Sequence, residues 1–327
     1  MRRSVFLFLI FSVASATHAA TQPVQDMLAH MQTALRDLNY YGILVYLQDG
    51  NVQTMRVIHK AGKDGESERL VSLNGVAREV ISRGDVVTCY MPDKKEVTVG
   101  KRQYKRHILP TLADNSFDEL QKLYDFKLES ESRVAGIKTR RILIKPKDNL
   151  RYGYRLWIGE KNHLLLKSDL INTNGKILEQ AMFADINVVK NIPDEMLKPS
   201  SSVKGFSRIK QHKKDDGDQQ ISNSEWMIKD LPKGFSISTH IRQMLPNSEN
   251  PAEHWIATDG LASVSVYLEK VNDKKHTFEG LTHAGAMNVF GLLLDGYHVT
   301  VVGEVPANTV KTIAQSVVMN PAVQKND

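Results

Sequence analysis

The residues of this chain that could do chemistry are eleven histidines, one cysteine and a few close-set acidic pairs. A transition-metal site needs histidines at ligand spacing, such as i and i+4 on a helix. No two stand four apart, and His276 and His283 lie seven apart across an expected turn, so no metal site is read here. Glu66/Glu68 and Glu129/Glu131 have the i, i+2 spacing that puts both carboxylates on one face of a strand. Without a base or nucleophile beside them, that is a solvated face and not an acid–base pair. Cys89 has no second cysteine to pair with and stands in the strand-like run Val86-Val87-Thr88-Cys89-Tyr90, where a thiol packs as a small hydrophobe. Whether it is buried or reactive stays open. Phosphate loops, nucleophile elbows and dinucleotide fingerprints are absent from the sequence. The expectation is a protein that is not an enzyme and carries no cofactor.

Two other groupings suit binding. The densest basic cluster is Lys94, Lys95, Lys101, Arg102, Lys105, Arg106 and His107, which would draw anionic partners over about a Debye length. The aromatic grouping is Tyr152 and Tyr154, sharing one strand face with Leu156 and Ile158, with Trp157 on the other face. The strand around Tyr41, Leu44 and Tyr46 is apolar on both parities, so it needs cover on both faces. A curved sheet lined this way, with few helices to fill it, suggests a lipid-sized groove.

The elements that must position these residues begin after a leader. Arg2 and Arg3 precede the apolar run 5–14, and Thr17 and Ala19 supply the small residues of a cleavage site. Residues 1–19 are therefore expected to be a signal peptide cleaved near Ala19, its run too short to span a bilayer. Export excludes nucleic acid as a partner. Residues 23–38 place Val24, Met27, Leu28, Met31 and Leu35 on one helical stripe. A second helix is expected over 116–123, opened by the capping box Ser116-Phe117-Asp118-Glu119. Nearly everything else to residue 198 reads as short strands joined by tight turns, Asn74-Gly75 being the strongest hairpin signal. So many antiparallel strands in one sheet must curl.

Residues 199–222 shift to Ser, Lys, Asp, Gln and Gly and read as a linker, with one short pairing segment near 206–209. Residues 223–319 form a smaller domain of strands, a hairpin across Asp295-Gly296 and a terminal helix opened by Pro306 with Val310, Ile313, Ala314 and Val317 on its buried stripe. Residues 320–327 are expected to be a disordered tail. The charge divides unevenly: of the formal +6, residues 20–200 carry 28 basic against 23 acidic groups, while residues 223–327 carry 8 against 11.

Three blocks carry a family resemblance. The first is Glu66-x-Glu68-Arg69-Leu70-x-x-Leu73-Asn74-Gly75-x-x-Arg78-Glu79-Val80. The second joins Trp226 to Leu231-Pro232-x-Gly234-Phe235 and Asp259-Gly260-Leu261-x-x-x-Ser265-Val266. The third is Val301-Val302-Gly303-Glu304-Val305-Pro306-x-x-Thr309-Val310-x-x-Ile313-Ala314. In this order the chain resembles the RseB/MucB family of periplasmic regulators of sigma-E, across nearly all of its expected mature length. Cys89 is not part of that pattern.

The resemblance implies a mainly β (α+β) fold: an N-terminal half-barrel like that of the LolA/LolB lipoprotein carriers, a strongly curved antiparallel sheet with helices in its concavity. A smaller C-terminal antiparallel sheet with one packed helix would follow. It also implies a soluble periplasmic protein that binds the periplasmic domain of a membrane anti-sigma factor (RseA or MucA). That contact would shield the anti-sigma factor from the first, DegS-type, proteolytic cut, until lipid or lipopolysaccharide loosens it. On this reading Tyr41, Leu44, Tyr46, Tyr152, Tyr154 and Trp157 take acyl chains, and Lys101, Arg102, Lys105 and Arg106 meet lipid phosphates. Trp226, Phe235, Asp259 and Gly260 hold the partner. The alternative is a periplasmic lipid or lipoprotein carrier with no anti-sigma partner. A homo-oligomer, the identity of the lipid and the strand faces that line the groove stay open.

Overall fold

A computed structural model of the chain describes residues 16–62, 65–101, 110, 117–200, 204–210, 219–245, 248, 250–271 and 277–321. Helix α1 (Ala16–Asp37) starts seven residues before the expected 23 and contains Pro23. Its inner stripe is as expected: Val24, Leu28 and Met31 are buried. Residues 1–15, which hold the apolar run 5–14, lie outside the described residues.

The first domain is a meander of β1 (Asn39–Gln48), β2 (Asn51–Lys60), β3 (Ser67–Ser72), β4 (Glu79–Arg83), β5 (Val86–Met91) and β6 (Glu96–Lys101). Helix α2 (Phe117–Leu123) follows, then β7 (Tyr124–Val134), β8 (Ile137–Pro146), β9 (Gly153–Gly159), β10 (Leu165–Ile171), β11 (Ile177–Val189) and, within the segment read as a linker, β12 (Ser207–Lys210). Among the described residues these form one twelve-stranded sheet in the order β12-β6-β5-β4-β3-β2-β1-β11-β10-β9-β8-β7. Every pair is antiparallel except β12 with β6. The sheet curls into an open half-barrel, and both helices fill the concavity. Leu28 and Met31 of α1 and Leu120 of α2 share one core with Leu44, Val57, Leu156 and Phe183 of the strands.

Two-residue turns at Asp49-Gly50, Ala135-Gly136 and Asp295-Gly296 have both residues at positive φ, as the primed hairpin turns require. Asn74-Gly75 departs from its expectation. The connection is the longer loop 73–78, closed by the Ser72 N–H on the Arg78 carbonyl at 2.8 Å. Asn74 is recruited sideways: its amide donates to the Val52 carbonyl at 2.8 Å and accepts from the Thr54 N–H at 2.6 Å. A side chain that mimics backbone pairing to a neighbouring strand competes with a local turn, and here the neighbour wins.

The second domain contains β13 (Gln219–Gln220), β14 (Trp226–Ile228), β15 (Ser236–Met244), β16 (Pro251–Thr258), β17 (Ser263–Lys270), β18 (Gly280–Ala284), β19 (Met287–Leu294), β20 (Tyr297–Gly303), helix α3 (Ala307–Gln315) and β21 (Val317–Met319). Seven of these strands form one antiparallel sheet, β13-β15-β16-β17-β20-β19-β18, and β14 pairs with β21. The hairpin expected across Asp295-Gly296 is present, β19 pairing with β20, and a further strand, β18, joins β19 through a turn at Gly285, which has φ 63°. Val317 is buried, but on β21 and not on the helix. Val310, Ile313 and Ala314 of α3 close the core over Val299 and Val301.

Candidate functional site

The domains meet through a buried ion pair. The loop between β8 and β9 is shaped by Asp148, which accepts from the Leu150 N–H at 3.0 Å and from Arg151 Nε at 3.0 Å. Arg151 has no exposed surface at all, and its guanidinium crosses into the second domain. Nη1 donates to Asp259 Oδ2 at 2.5 Å and Nη2 to the Lys233 carbonyl at 2.6 Å. Tyr124 Oη donates to the same Asp259 oxygen at 2.8 Å. The other Asp259 oxygen accepts from the Leu261 and Ala262 N–H groups at 2.9 and 2.7 Å, which builds the turn that delivers it. The guanidinium also lies 5.1 Å from the Phe235 ring and 5.7 Å from that of Tyr124.

Burial works against the charge of Arg151, but the Asp148 hydrogen bond and the Asp259 carboxylate outweigh it and hold its pKa above the ordinary value. Burial, then Asp259, pushes the Tyr124 phenol far up, so it stays a neutral donor. Each guanidinium nitrogen of Arg151 and each carboxylate oxygen of Asp259 thus has a hydrogen-bond partner, the condition under which a buried pair is tolerated. Leu261 packs onto the first core beside it. Thr309 Oγ1 of α3 donates to the Leu150 carbonyl at 2.7 Å and pins the loop from above.

A second contact lies across the sheet. Glu179 on β11 is buried and accepts from Tyr46 Oη, from Gln48 Nε2 at 2.7 Å and, from the second domain, from the Ala286 N–H at 3.2 Å. The Gly285 N–H donates to Asp49 at 2.6 Å, and Asn288 Nδ2 to Tyr152 Oη at 3.2 Å. Beside this contact is a cavity of about 400 Å³. Its walls mix Tyr46, Met55, Leu70 and Val80 of the half-barrel with the polar Gln48, Gln53, Ser72, Arg78 and Glu179 and, from the second domain, Glu304. An adjoining pocket of about 60 Å³ shares Tyr46, Glu179 and Glu304 and adds Tyr154 and Leu170. Burial, then Glu304 and Glu179, raises the Tyr154 pKa. The larger space lies within the size range of small-ligand sites, and both domains line it.

The residues singled out from sequence fall in several places. Tyr46 and Tyr154 line these cavities. Leu44 is buried in the first core. Tyr41 points to the opposite face of β1, against Ile58, Ile192 and Leu197. Trp157 faces away from Tyr154, with Lys167 Nζ at 4.3 Å and the Arg141 guanidinium at 5.7 Å from its ring. Lys101 ends β6, and Arg102, Lys105, Arg106 and His107 lie outside the described residues, as does His276. Trp226 and Phe235 are buried in the second core, while Asp259 and Gly260 stand in the junction turn. Cys89 is half-buried on β5 between Val80 and Thr98. No group of three metal-ligating side chains occurs among the described residues.

Arg151 and Glu179 were not singled out. Arg151 is 108 residues from its partner Asp259, and Glu179 is 107 from Ala286, so no local spacing marks either.

These features define a class: a two-domain β protein in which a curved antiparallel half-barrel and a smaller sheet-and-helix domain are clamped together around a shared cavity. Residues 23–201 match the MucB/RseB N-terminal domain and residues 220–318 the MucB/RseB C-terminal domain. The chain belongs to the MucB/RseB family. It is 28% identical over 309 residues to the sigma-E factor regulatory protein RseB of Haemophilus influenzae, covering 94% of each chain. To the sigma factor AlgU regulatory protein MucB of Pseudomonas aeruginosa it is 28% identical, covering 99% of this chain and all of that one. Among solved structures, MucB in complex with MucA(peri) superposes with a TM-score of 0.69 at 27% identity, covering 90% of this chain and 98% of that one.

Proposed function

We propose that this chain is a periplasmic negative regulator of a sigma-E-type envelope-stress response. It binds the periplasmic domain of a membrane anti-sigma factor and shields it from the DegS-type first cut. Lipid or lipopolysaccharide entering the half-barrel releases it. The relatives named as sigma-factor regulators, and a relative solved with MucA(peri), support the partner. The leader-like run 5–14 supports the compartment.

The observation that carries the two-ligand reading is the cavity of about 400 Å³ lined from both domains. A ligand that fills it differently in two domain arrangements biases one over the other, and the coupling to the second ligand is reciprocal in free energy. Acyl chains run along Tyr46 and Tyr154, and the basic run from Lys94 to His107 meets phosphates. Asp259 and Gly260 act on the partner by holding the domain arrangement that it grips. The test is a pull-down of the chain from residue 20 onward against the periplasmic segment of the host's anti-sigma factor, with and without lipopolysaccharide. Capture that lipopolysaccharide competes away is the expected result. Retention of acyl chains with no capture in either condition would identify a carrier instead.

A further inference from the structure

One rim of the half-barrel carries exposed aliphatic side chains on either side of the Asp49 contact with Gly285. Ile177 opens β11, Val52 is the second residue of β2, and Leu73 and Val76 lie in loop 73–78; the four are 39%, 52%, 43% and 72% exposed. Strand order β4-β3-β2-β1-β11 and the antiparallel pairing put all four at the same end of neighbouring strands. Asn74 ties the loop to Val52, so the row is held in place by hydrogen bonds.

Cations flank the row. Lys176 precedes Ile177, and Arg78 closes the loop after Val76. Lys94 and Lys95 stand in the next turn along, which Asp93 joins to the Ala77 N–H at 3.4 Å. The Ser207 N–H donates to the Lys95 carbonyl at 2.9 Å, bringing exposed Lys204 to the same rim. The acidic groups there are Asp49, which accepts from the Gly285 N–H, Asp93 and Glu96, with Glu79 paired to Arg69 and with Glu179 and Glu304 lining the junction cavity beside Arg78.

We propose that this rim is a membrane-docking surface: Ile177, Val52, Leu73 and Val76 enter the interfacial layer of an anionic bilayer while the flanking Lys and Arg meet its phosphates. Exposed aliphatic tips among basic side chains match such a surface in both respects, apolar against the acyl boundary and positive against anionic headgroups. Arg78 and Met55 line the junction cavity, so docking brings the cavity mouth to the lipid. The inference goes beyond the regulator reading, since it concerns how the protein sits on a membrane and not what it regulates.

The test is flotation of the chain from residue 20 onward, which removes the apolar run 5–14. Vesicles are of phosphatidylcholine alone or with about one third phosphatidylglycerol. The chain is expected to float with the anionic vesicles and not with the neutral ones. Each cation at an anionic surface contributes roughly fivefold, so Lys94→Glu with Lys95→Glu lowers partitioning on the order of 25-fold or more. Val76→Asp lowers it roughly tenfold or more by keeping the loop out of the interface. All three side chains are exposed, and circular dichroism with thermal melting verifies that the variants fold. No flotation, equal flotation with both vesicle types, or flotation indifferent to the substitutions would overturn the proposal. So would Val76→Asp weakening capture of the anti-sigma segment while leaving flotation intact, which would assign the rim to a protein partner. The same pull-down on unsubstituted chain reports separately on the regulator reading.

Discussion

Substituting the clamp gives a quantitative test of how the two domains are held. Arg151 and Asp259 both have fully buried side chains, and Asp259 Oδ2 takes hydrogen bonds from Arg151 and Tyr124. Arg151→Met removes the cation, keeps the aliphatic volume and leaves the carboxylate without a counter-charge. Asp259→Asn keeps an oxygen for the Leu261 and Ala262 N–H groups but turns an amide donor toward two other donors. Removing one member of a buried pair costs about 3–5 kcal/mol. For domains of this size that lowers the melting temperature by roughly 6–20 °C. The double variant buries no charge at the junction, so its cost should fall short of the sum of the singles by about 1–3 kcal/mol, the range of coupling for contacting residues. The assay is urea unfolding of all four proteins followed by tryptophan emission. Trp157 reports the first domain, and Trp226 and Trp255 the second. The single substitutions should also separate transitions that coincide in the parent. Single costs below about 1 kcal/mol, or strict additivity, would refute the account of the clamp.

Other consequences follow from the same junction and cores. Gly234 sits at φ +87°, and a Cβ there would come within 2.6 Å of the Leu123 methyl carbons across the junction; Gly234→Ala should cost about 1–2 kcal/mol for the left-handed backbone and a further ~1–3 for overpacking, read by thermal melting. Glu179→Gln keeps one acceptor for the three donors that converge on it, and should destabilise by about 1.5–3 kcal/mol in denaturant titration. Glu179→Leu, which removes every acceptor, should cost more. Burial raises the phenol pKa of Tyr40 and Tyr124. A raised folded-state pKa contributes stability that is complete below the unfolded value near 10 and is lost as pH rises toward the folded value. Stability should therefore hold at neutral pH and fall above about pH 10 by up to about 1.4 kcal/mol per pH unit for each phenol, and Tyr40→Phe should flatten the slope.

Much of the architecture is legible locally. The helical stripe of α1 and the turns at Asp49-Gly50, Ala135-Gly136 and Asp295-Gly296 are written in neighbouring residues, because period and positive φ are local demands. Asn74-Gly75 looks the same in sequence, yet folds differently because a strand twenty residues earlier offers its side chain better hydrogen bonds. Alternation within β9 placed Tyr154 and Trp157 on opposite faces, as found. In β1, alternation sets Tyr41 opposite Leu44 and Tyr46, but apolar residues on both parities leave open which face turns inward; the structure turns Leu44 and Tyr46 to the first core and Tyr41 away from it. The junction is the least legible part. Asp259-Gly260 marks a turn in the sequence, but the cation that Asp259 pairs with lies 108 residues earlier in a loop with no motif. A buried arginine announces itself only when the structure shows its surroundings.

The account rests on two ligands competing through one domain arrangement. The most direct measurement is the affinity of the chain for the periplasmic segment of the anti-sigma factor, by titration calorimetry, in the absence and presence of saturating lipopolysaccharide. The account predicts tight binding that weakens by roughly 5–150-fold, the usual span of coupling between linked sites. Binding of unchanged affinity with lipopolysaccharide demonstrably bound, or no binding to the segment at all, would contradict it.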